Sequence, residues 1–411
     1  MERRRVVVTG LGVASAIGVD EASMWQRLLA AEGGIGELQA LDTTGYKVSI
    51  GAEVDRPAVT ARLESLGRRA IDRALDLGLV AGADALLQAG LVDEPPYQEQ
   101  DVAVIFGTGV GSAQSHHTAF NAFFKKGVRG LRPTTVPRCM YNAISSGLSI
   151  HFKLSGPNYM IVSACTSATN AIGTAFRMVR DGYAETVLCG GAEGFFDPFF
   201  YGVWNNLGVL STNPDPARAC RPFDADRDGC VLGEGAGALV IESYDRARAR
   251  GARIRGEILG YGESSDALHR TSPSADGQAK AMQQALAEAG VKASELSHIN
   301  AHGTATHAND LTESQSIRKV LGDAVDAVPV VANKSYFGHT LGASGALETI
   351  VTLLALEHGM APPNLNLDRP DPQCDLNLVG SEPVPLNSPL AMKNSFGFGG
   401  GNGVLVLRKA D

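Results

Sequence analysis

Short apolar runs alternate with longer amphipathic ones along the whole chain. Arg5–Thr9, Asp101–Phe106, Thr186–Leu188, Ala238–Glu242, Ile254–Leu259, His298–Asn300, Val328–Ala332 and Val404–Arg408 are brief and rich in β-branched residues, and they predict strands. Gly277–Ala289 and Gly342–His358 carry the three-to-four-residue spacing of amphipathic helices. The stretch Ala52–Ala85 has the same periodicity, broken by glycine, and runs on into the alanine-rich Ala81–Ala89. Such alternation predicts an α/β chain with helices covering mixed sheets.

Two of the strand signals resemble each other. Val6-Val-Val-Thr-Gly-Leu-Gly12 and Ile254-Arg-Gly-Glu-Ile-Leu-Gly-Tyr-Gly262 each end in paired glycines. This predicts a duplication, with a boundary near Arg250-Gly251 after the charged run Asp245–Arg250. The expected halves are 1–250 and 251–411. No low-complexity linker separates them, so a shared packed interface is expected.

Composition narrows the class. The chain has 411 residues, 44% hydrophobic and only 19% charged, enough for a large core and unlike a disordered or coiled-coil protein. A net charge of −8 excludes a general nucleic-acid footprint. No run approaches the roughly 18 apolar residues of a membrane span. The first apolar run stops at Thr9-Gly10, too short for a secretory signal. Six cysteines at 139, 165, 189, 220, 230 and 374 form no CxxC pair, which argues against a zinc ribbon or disulfide scaffold and for a cytoplasmic protein with reduced thiols.

One cysteine stands apart. Cys165 ends the strand-like run Tyr159–Cys165 and precedes the helix-like run Thr166–Arg177. A sulfur at a helix N-terminus faces free N–H groups and the positive end of the dipole, which predicts a stabilised thiolate. Three more segments carry chemistry. Asn300-Ala-His302-Gly-Thr304-Ala-Thr306-His307-Ala-Asn-Asp310 puts a histidine where a strand ends in a loop. Its spacing fits no zinc pattern, and no metal is expected. Asn333-Lys334-Ser-Tyr-Phe-Gly338-His339 places a lysine directly after an apolar strand, a poor position for a solvated charge, and leads into a helix with Glu348. Asn394-Ser-Phe-Gly-Phe398-Gly-Gly-Gly-Asn402 offers a loop whose N–H groups can face a ligand. It lacks the Lys-Ser/Thr of a phosphate loop and precedes a strand. The glycine run Gly107–Gly111 is equally weak as a dinucleotide signature.

Taken in order, Ala164-Cys-Thr-Ser167, Asn300–Thr304, Lys334 through His339, and Asn394–Gly400 resemble the elongating β-ketoacyl-[acyl-carrier-protein] synthases, including synthase II and the ketosynthase subunit of type II polyketide synthases. Arg221-Pro-Phe-Asp224, Arg227-Asp-Gly229 and Gly233–Gly237 add a fifth mark. The resemblance spans nearly the whole chain. It implies a thiolase-like fold of two similar halves in five αβαβα layers. It implies decarboxylative Claisen condensation of a Cys-bound acyl chain with malonyl-acyl-carrier-protein, in fatty-acid synthesis or, slightly favoured, polyketide or polyene synthesis. It implies no cofactor.

The resemblance also assigns residues. Cys165 matches the acylated nucleophile. His302 and His339 match the pair that assists decarboxylation, Lys334 its supporting lysine and Glu348 a supporting carboxylate. The N–H groups of Cys165 and Phe398 match an oxyanion hole, and the Phe398 ring a gate. Thr304, Thr306 and Thr271 match residues near the malonyl arm, and Val110 a position limiting acyl depth. Cys230 and Gly401 stand where the family carries a bulky residue and a threonine. An acidic acyl carrier protein with phosphopantetheine-linked substrates is the implied partner, met by Arg68, Arg69, Lys125, Lys126, Arg129 and Arg132. A homodimer, or a heterodimer with a homologous chain-length-factor subunit, is implied too. The stretch Ser112–Phe124, with His116, His117 and three phenylalanines, reads as an insert.

Three rival readings fit the residues less well. A degradative thiolase would carry a second cysteine where Phe398 stands, and a synthase III would use Cys-His-Asn. A non-catalytic chain-length-determining partner would lack Cys165.

Overall fold

Ten strands form one continuous mixed sheet in the computed structural model, which describes residues 3–93 and 95–410. Met1 and Glu2, the start of the N-terminal segment, lie outside those residues. The strands are β1 (Val6–Ala14), β2 (Ala103–Gly107), β3 (Asn158–Ile161), β4 (Thr186–Glu193), β5 (Gly235–Ser243), β6 (Gly256–Ser265), β7 (His298–Asn300), β8 (Val330–Val331), β9 (Leu390–Gly397) and β10 (Gly401–Lys409). Their spatial order is β8-β7-β9-β10-β6-β1-β5-β4-β2-β3.

That order contains a repeat. Adding five to each strand number of β3-β2-β4-β5-β1 gives β8-β7-β9-β10-β6. Parallel and antiparallel pairings repeat as well, and β1 meets β6 antiparallel at the centre. The glycine-paired strands that suggested a duplication are these two central strands.

The glycines have a steric reason. A Cβ at Gly12 would lie 1.9 Å from the Ala81 carbonyl oxygen, and one at Gly10 would lie 2.0 Å from that of Ala85. In the other half, Gly262 and Gly260 meet the Ala281 and Ala285 oxygens at 1.9 and 2.3 Å. Helices α1 (Arg73–Gln88) and α4 (Ala275–Ala289) therefore rest their backbones directly on β1 and β6. This contact also carries both strands beyond the expected ends at Thr9 and Leu259.

Alternation along the strands sorts the layers. Ala103 and Ile105 face a central core, while Val104 and Phe106 face an outer one under α1. The central core contains α3 (Ser167–Arg180) and α6 (Ser344–His358), packed between the two halves of the sheet. The second outer core lies under α4 and α5 (His307–Leu321). Helices outside, sheet, helices between, sheet and helices outside make the five layers of a thiolase-like fold.

Local departures from expectation are small. The periodic stretch 52–85 divides into helices Arg56–Ser65 and Arg73–Gln88. The strand expected over Val328–Ala332 pairs only at Val330 and Val331. The insert-like stretch becomes α2 (Ala113–Lys126), with Phe120, Phe123 and Phe124 exposed. No described helix is long and apolar enough to cross a membrane.

Gly262→Ala should lower unfolding free energy by about 1–3 kcal/mol or more, because the new methyl meets backbone. Gly401→Ala, whose Cβ would meet only Thr166 Oγ1 at 3.4 Å, should change it by less than about 0.5 kcal/mol. Chemical denaturation of both variants checks the contrast.

Candidate active site

The chain reaches the sulfur through a tight elbow. After β3, Ala164 adopts φ +54, a left-handed conformation that costs a non-glycine residue about 1 kcal/mol or more. A single 3-10 turn, Ala164–Thr166, carries Cys165 to the start of α3. Ser167 Oγ fixes the elbow by accepting from the Ser163 N–H at 2.9 Å and donating to the Thr108 carbonyl at 3.0 Å. Gly107 leaves room for this, since a Cβ there would lie 2.4 Å from the backbone of Ser167 and Ala168. Gly107 therefore serves helix packing, and Glu193 accepts from the N–H groups of Gly109, Val110 and Gly342 beyond it.

The two histidines come from the other half. His302 leaves β7 into a loop whose N–H groups are held by α5: Glu313 accepts from His302 and Gly303 at 2.7 and 2.8 Å, and Asp310 from Thr304 at 3.0 Å. Asp310 also accepts from the Phe223 N–H, so the Arg221–Asp224 segment braces this loop from behind. His307 is exposed, while Asp310 is fully buried with its two oxygens taken by the Thr304 and Phe223 N–H groups. His339 follows Gly338, whose φ of +67 turns the chain out of the Lys334–Phe337 helix. Its Nε2 lies 3.0 Å from Cys165 Sγ. The two rings meet edge to face, centroids 5.3 Å apart. One ligand-type atom from each of Cys165, His302 and His339 lies within 4.8 Å of the others.

Their partners set the tautomers. Lys334 Nζ lies 3.2 Å from His302 Nδ1 and donates to the His302 carbonyl oxygen at 2.5 Å. The Leu341 N–H donates to His339 Nδ1 at 3.3 Å. With both Nδ1 atoms accepting, both Nε2 atoms carry protons. Two N–H donors are then available beside the sulfur, an arrangement suited to a developing oxyanion. Burial, aided by the Lys334 and Lys393 charges, pushes both imidazoles well below their ordinary pKa, so both are neutral at neutral pH.

Behind them lies a fully buried charge cluster. Lys334 pairs with Glu348 Oε1, and Lys393 Nζ stands 3.0 Å from Glu348 Oε2. Glu348 Oε2 accepts no well-angled hydrogen bond, so the second contact is a charge pair. Lys393 escaped the sequence reading, although Leu390-Ala-Met-Lys393 shows the signal that marked Lys334, a lysine inside an apolar run. Glu313 and Glu193, the two carboxylates that hold the loops, also went unread. Polar residues on a helix and at a strand end gave no sign of burial.

The thiolate expectation is corrected. Burial pushes the Cys165 thiol up to about 11, outweighing the Lys334 charge and the Phe398 N–H that donates to it, while Glu348 and Glu193 add to the rise. Only 6% of Cys165 remains exposed. Lost hydration here outweighs the favourable charge and N–H around the sulfur.

A pocket of about 280 Å³ opens over these groups. Cys165, Cys230, Thr271, His302, Thr304, Thr306, His339 and Phe398 all line it. The Phe398 ring stacks on Trp204 at 5.9 Å, a partner the sequence did not reveal. Val110 instead lines a neighbouring apolar pocket with Phe120, Phe124 and Tyr141. Cys230 is buried. Arg69, Lys125, Lys126, Arg129 and Arg132 are exposed, and Arg68 is half-buried.

Known proteins resemble this chain over its whole length. The family model "Beta-ketoacyl synthase, N-terminal domain" matches residues 3–247, and its C-terminal counterpart matches 255–368. The 3-oxoacyl-[acyl-carrier-protein] synthase 2 of Vibrio cholerae is 40% identical over the full length of both chains. That of Synechocystis is 39% identical, covering 100% of this chain and 99% of the relative. The solved structure of the ishigamide ketosynthase/chain length factor superimposes with a TM-score of 0.91 at 34% identity, covering 100% of both chains.

The raised thiol predicts a pH profile for the free enzyme. The neutral thiol persists through neutral pH, and the thiolate fraction rises about tenfold per unit as pH climbs toward 11. Iodoacetamide should therefore alkylate Cys165 at a rate still rising at pH 9. A plateau below pH 7.5 would show a thiolate already formed.

Proposed function

We propose, from the premise that the chain belongs to the β-ketoacyl synthase family, a division of labour in which Cys165 carries the acyl chain and His302 with His339 generates the nucleophile that extends it. The single supporting observation is the meeting of one thiol with two neutral imidazoles within 4.8 Å. The reaction is an acyl transfer in two halves. Cys165 first attacks an acyl thioester of the carrier protein. Its N–H and that of Phe398 receive the tetrahedral oxyanion. The thiol proton leaves with the departing pantetheine sulfur, so no charge is left behind.

The malonyl thioester then loses carbon dioxide, and its two bonding electrons move onto the thioester as an enolate. The Nε2–H groups of His302 and His339 donate to the enolate oxygen, which neutral imidazoles do without becoming ionised first. The enolate carbon attacks the acyl carbon, the Cys165 sulfur departs, and a proton from solvent restores the thiol. The β-ketoacyl product is two carbons longer. Lys334 and Glu348 hold His302 in its donating tautomer. Thr304, Thr306 and Thr271 line the approach of the malonyl arm, and Val110 bounds the acyl chain beyond Cys165. Cys230 gives the pocket a small wall.

The proposed carrier partner is an acidic acyl carrier protein bearing phosphopantetheine-linked acyl and malonyl groups. The exposed bases at 69, 125, 126, 129 and 132, with half-buried Arg68, are its proposed landing site. One solved relative shows a type II polyketide-synthase acyl-carrier protein in complex with its ketosynthase, at 27% identity and a TM-score of 0.90. The edge strand β3 and the exposed Phe120, Phe124, Val128 and Tyr141 support a second subunit, either another copy or a homologous chain-length subunit. The division of the chain into halves 1–250 and 251–411 belongs to the same proposal. Six free thiols suit a reducing compartment, and the cytoplasm is the proposed location. The fatty-acid and polyketide readings share this chemistry. The assembled nucleophile weighs against a non-catalytic partner subunit.

Incubation with acyl-carrier thioesters should add one acyl mass to the protein and none to Cys165→Ala. His302→Ala and His339→Ala should still be acylated, while condensation falls about 10²–10³-fold. Intact-mass and turnover assays read the two steps separately. Unchanged turnover in either histidine variant would remove it from the assigned role.

A further inference from the structure

Of the two fully buried lysines among the described residues, the reaction assigned above uses Lys334 and leaves the other idle. Lys393 projects from β9 with no exposure to solvent. Its Nζ donates to Thr169 Oγ1 at 3.1 Å and to Ser395 Oγ, and it pairs with Glu348 Oε2 at 3.0 Å. Two hydroxyl oxygens within hydrogen-bond reach and one carboxylate oxygen at ion-pair distance surround the nitrogen, a setting that suits an ammonium. Lys334 is met in the same way by Glu348 Oε1, the His302 carbonyl oxygen and His302 Nδ1. Glu348 is thus shared between two ammoniums, one carboxylate oxygen to each.

The partners of Lys393 are themselves placed to matter. Thr169 lies on α3, one turn after Cys165. Ser395 lies on β9, three residues before Phe398, whose N–H reaches the sulfur. Glu348 holds Lys334, which fixes the His302 tautomer. One ammonium therefore touches the elements that carry the nucleophile, the oxyanion donor and the histidine pair.

We propose, resting on the two-step reading above, that Lys393 is a positioning residue for condensation: its buried ammonium holds the Glu348 carboxylate in place, so that Lys334 keeps both imidazoles neutral and donating. The charge count explains why. Lys334, Glu348 and Lys393 together carry one net positive charge beside two histidines. That charge opposes imidazolium formation and attracts an enolate. Remove Lys393, and Glu348 Oε2 becomes a buried carboxylate oxygen with no partner, while the cluster falls to zero charge.

Several groups face Lys393. Glu348 comes from α6, Lys334 from the 334–337 turn, Glu313 from α5, and His302 and His339 from the loops. Its cross-strand neighbours, Asn300 on β7 and Leu405 on β10, are uncharged. Burial lowers the ammonium to about 8, against the pull of Glu348. The charge is present at neutral pH and is lost as pH rises through about 8.

The test measures acylation and condensation separately, with acyl- and malonyl-carrier thioesters, in the full-length protein. Lys393→Met keeps the bulk and removes the charge, whereas Lys393→Gln keeps a donor. In both, condensation should fall about tenfold or more, and by a larger factor than acylation. The acid limb of kcat should move to higher pH, because the imidazoles lose a repelling charge. Combined with Glu348→Gln, Lys393→Met should cost little beyond Glu348→Gln alone. The unaltered enzyme should show a falling limb near pH 8, a readout that stands even where a variant does not fold. A wild-type rate and pH profile in Lys393→Met or Lys393→Gln, multiplying losses in the double variant, or a wild-type profile flat from pH 7 to 9.5 would each overturn the proposal. Failure of the two-step reading itself is distinct, since the unaltered protein would then form no acyl adduct or no condensation product.

Discussion

One carboxylate, Glu348, has to balance two ammoniums in a space without water. Isolated charges in such a place cost several kcal/mol each, and only close pairing with full hydrogen bonding offsets that cost. Lys334 reaches that condition by spending its remaining N–H bonds on His302, at the ring nitrogen and the carbonyl. Catalytic geometry here is a by-product of electrostatic necessity. The lysine has nowhere else to donate, and the histidine it meets is left with a single tautomer. A neutral substitute at position 334 would satisfy the packing but lose the tautomer.

The fold supplies the place for this cluster by repetition. Each half lays a helix backbone against a glycine-paired central strand, and each sends a second helix into the shared middle layer. These middle helices, α3 and α6, carry Thr169 and Glu348, and they approach closely enough that a Cβ at Gly345 would lie 2.3 Å from Thr169 Oγ1. Cys165 arrives from the first half, and His302, Lys334, His339, Glu348 and Lys393 from the second. The site is thus a contact between repeats. A sulfur at the head of one middle helix meets groups at the head of the other, and neither half holds the chemistry alone.

Much of this was legible in the residues because the relevant signals are local. Cys165 stands at a strand-to-helix change, His302 and His339 stand beside glycines, and Lys334 follows apolar residues. Paired glycines at 10, 12, 260 and 262 announced a duplication, although their steric cause needed the positions of Ala81, Ala85, Ala281 and Ala285. What escaped is non-local. Glu193 and Glu313 look like ordinary acidic residues until their oxygens are seen accepting loop N–H groups from distant segments. Trp204 gives no hint of its stack on Phe398. The thiol was misjudged for a related reason. A helix terminus can be read from sequence, but the depth at which the sulfur is buried cannot.

That misjudgement bears on mechanism. The desolvation that raises the thiol also depresses the imidazoles, so the resting site holds a protonated sulfur and two neutral rings. Such a state has little to react with in the absence of substrate. An exposed thiolate would alkylate and oxidise more readily. A thioester entering the pocket changes the balance, because it brings both a carbonyl to receive charge and a sulfur to receive the proton. In the second half of the reaction the charge develops on substrate, at the Nε2–H groups of rings that have a cluster with one net positive charge behind them. Neutral rest and anionic transition states are therefore served by the same dry pocket, and the discrimination between them is electrostatic.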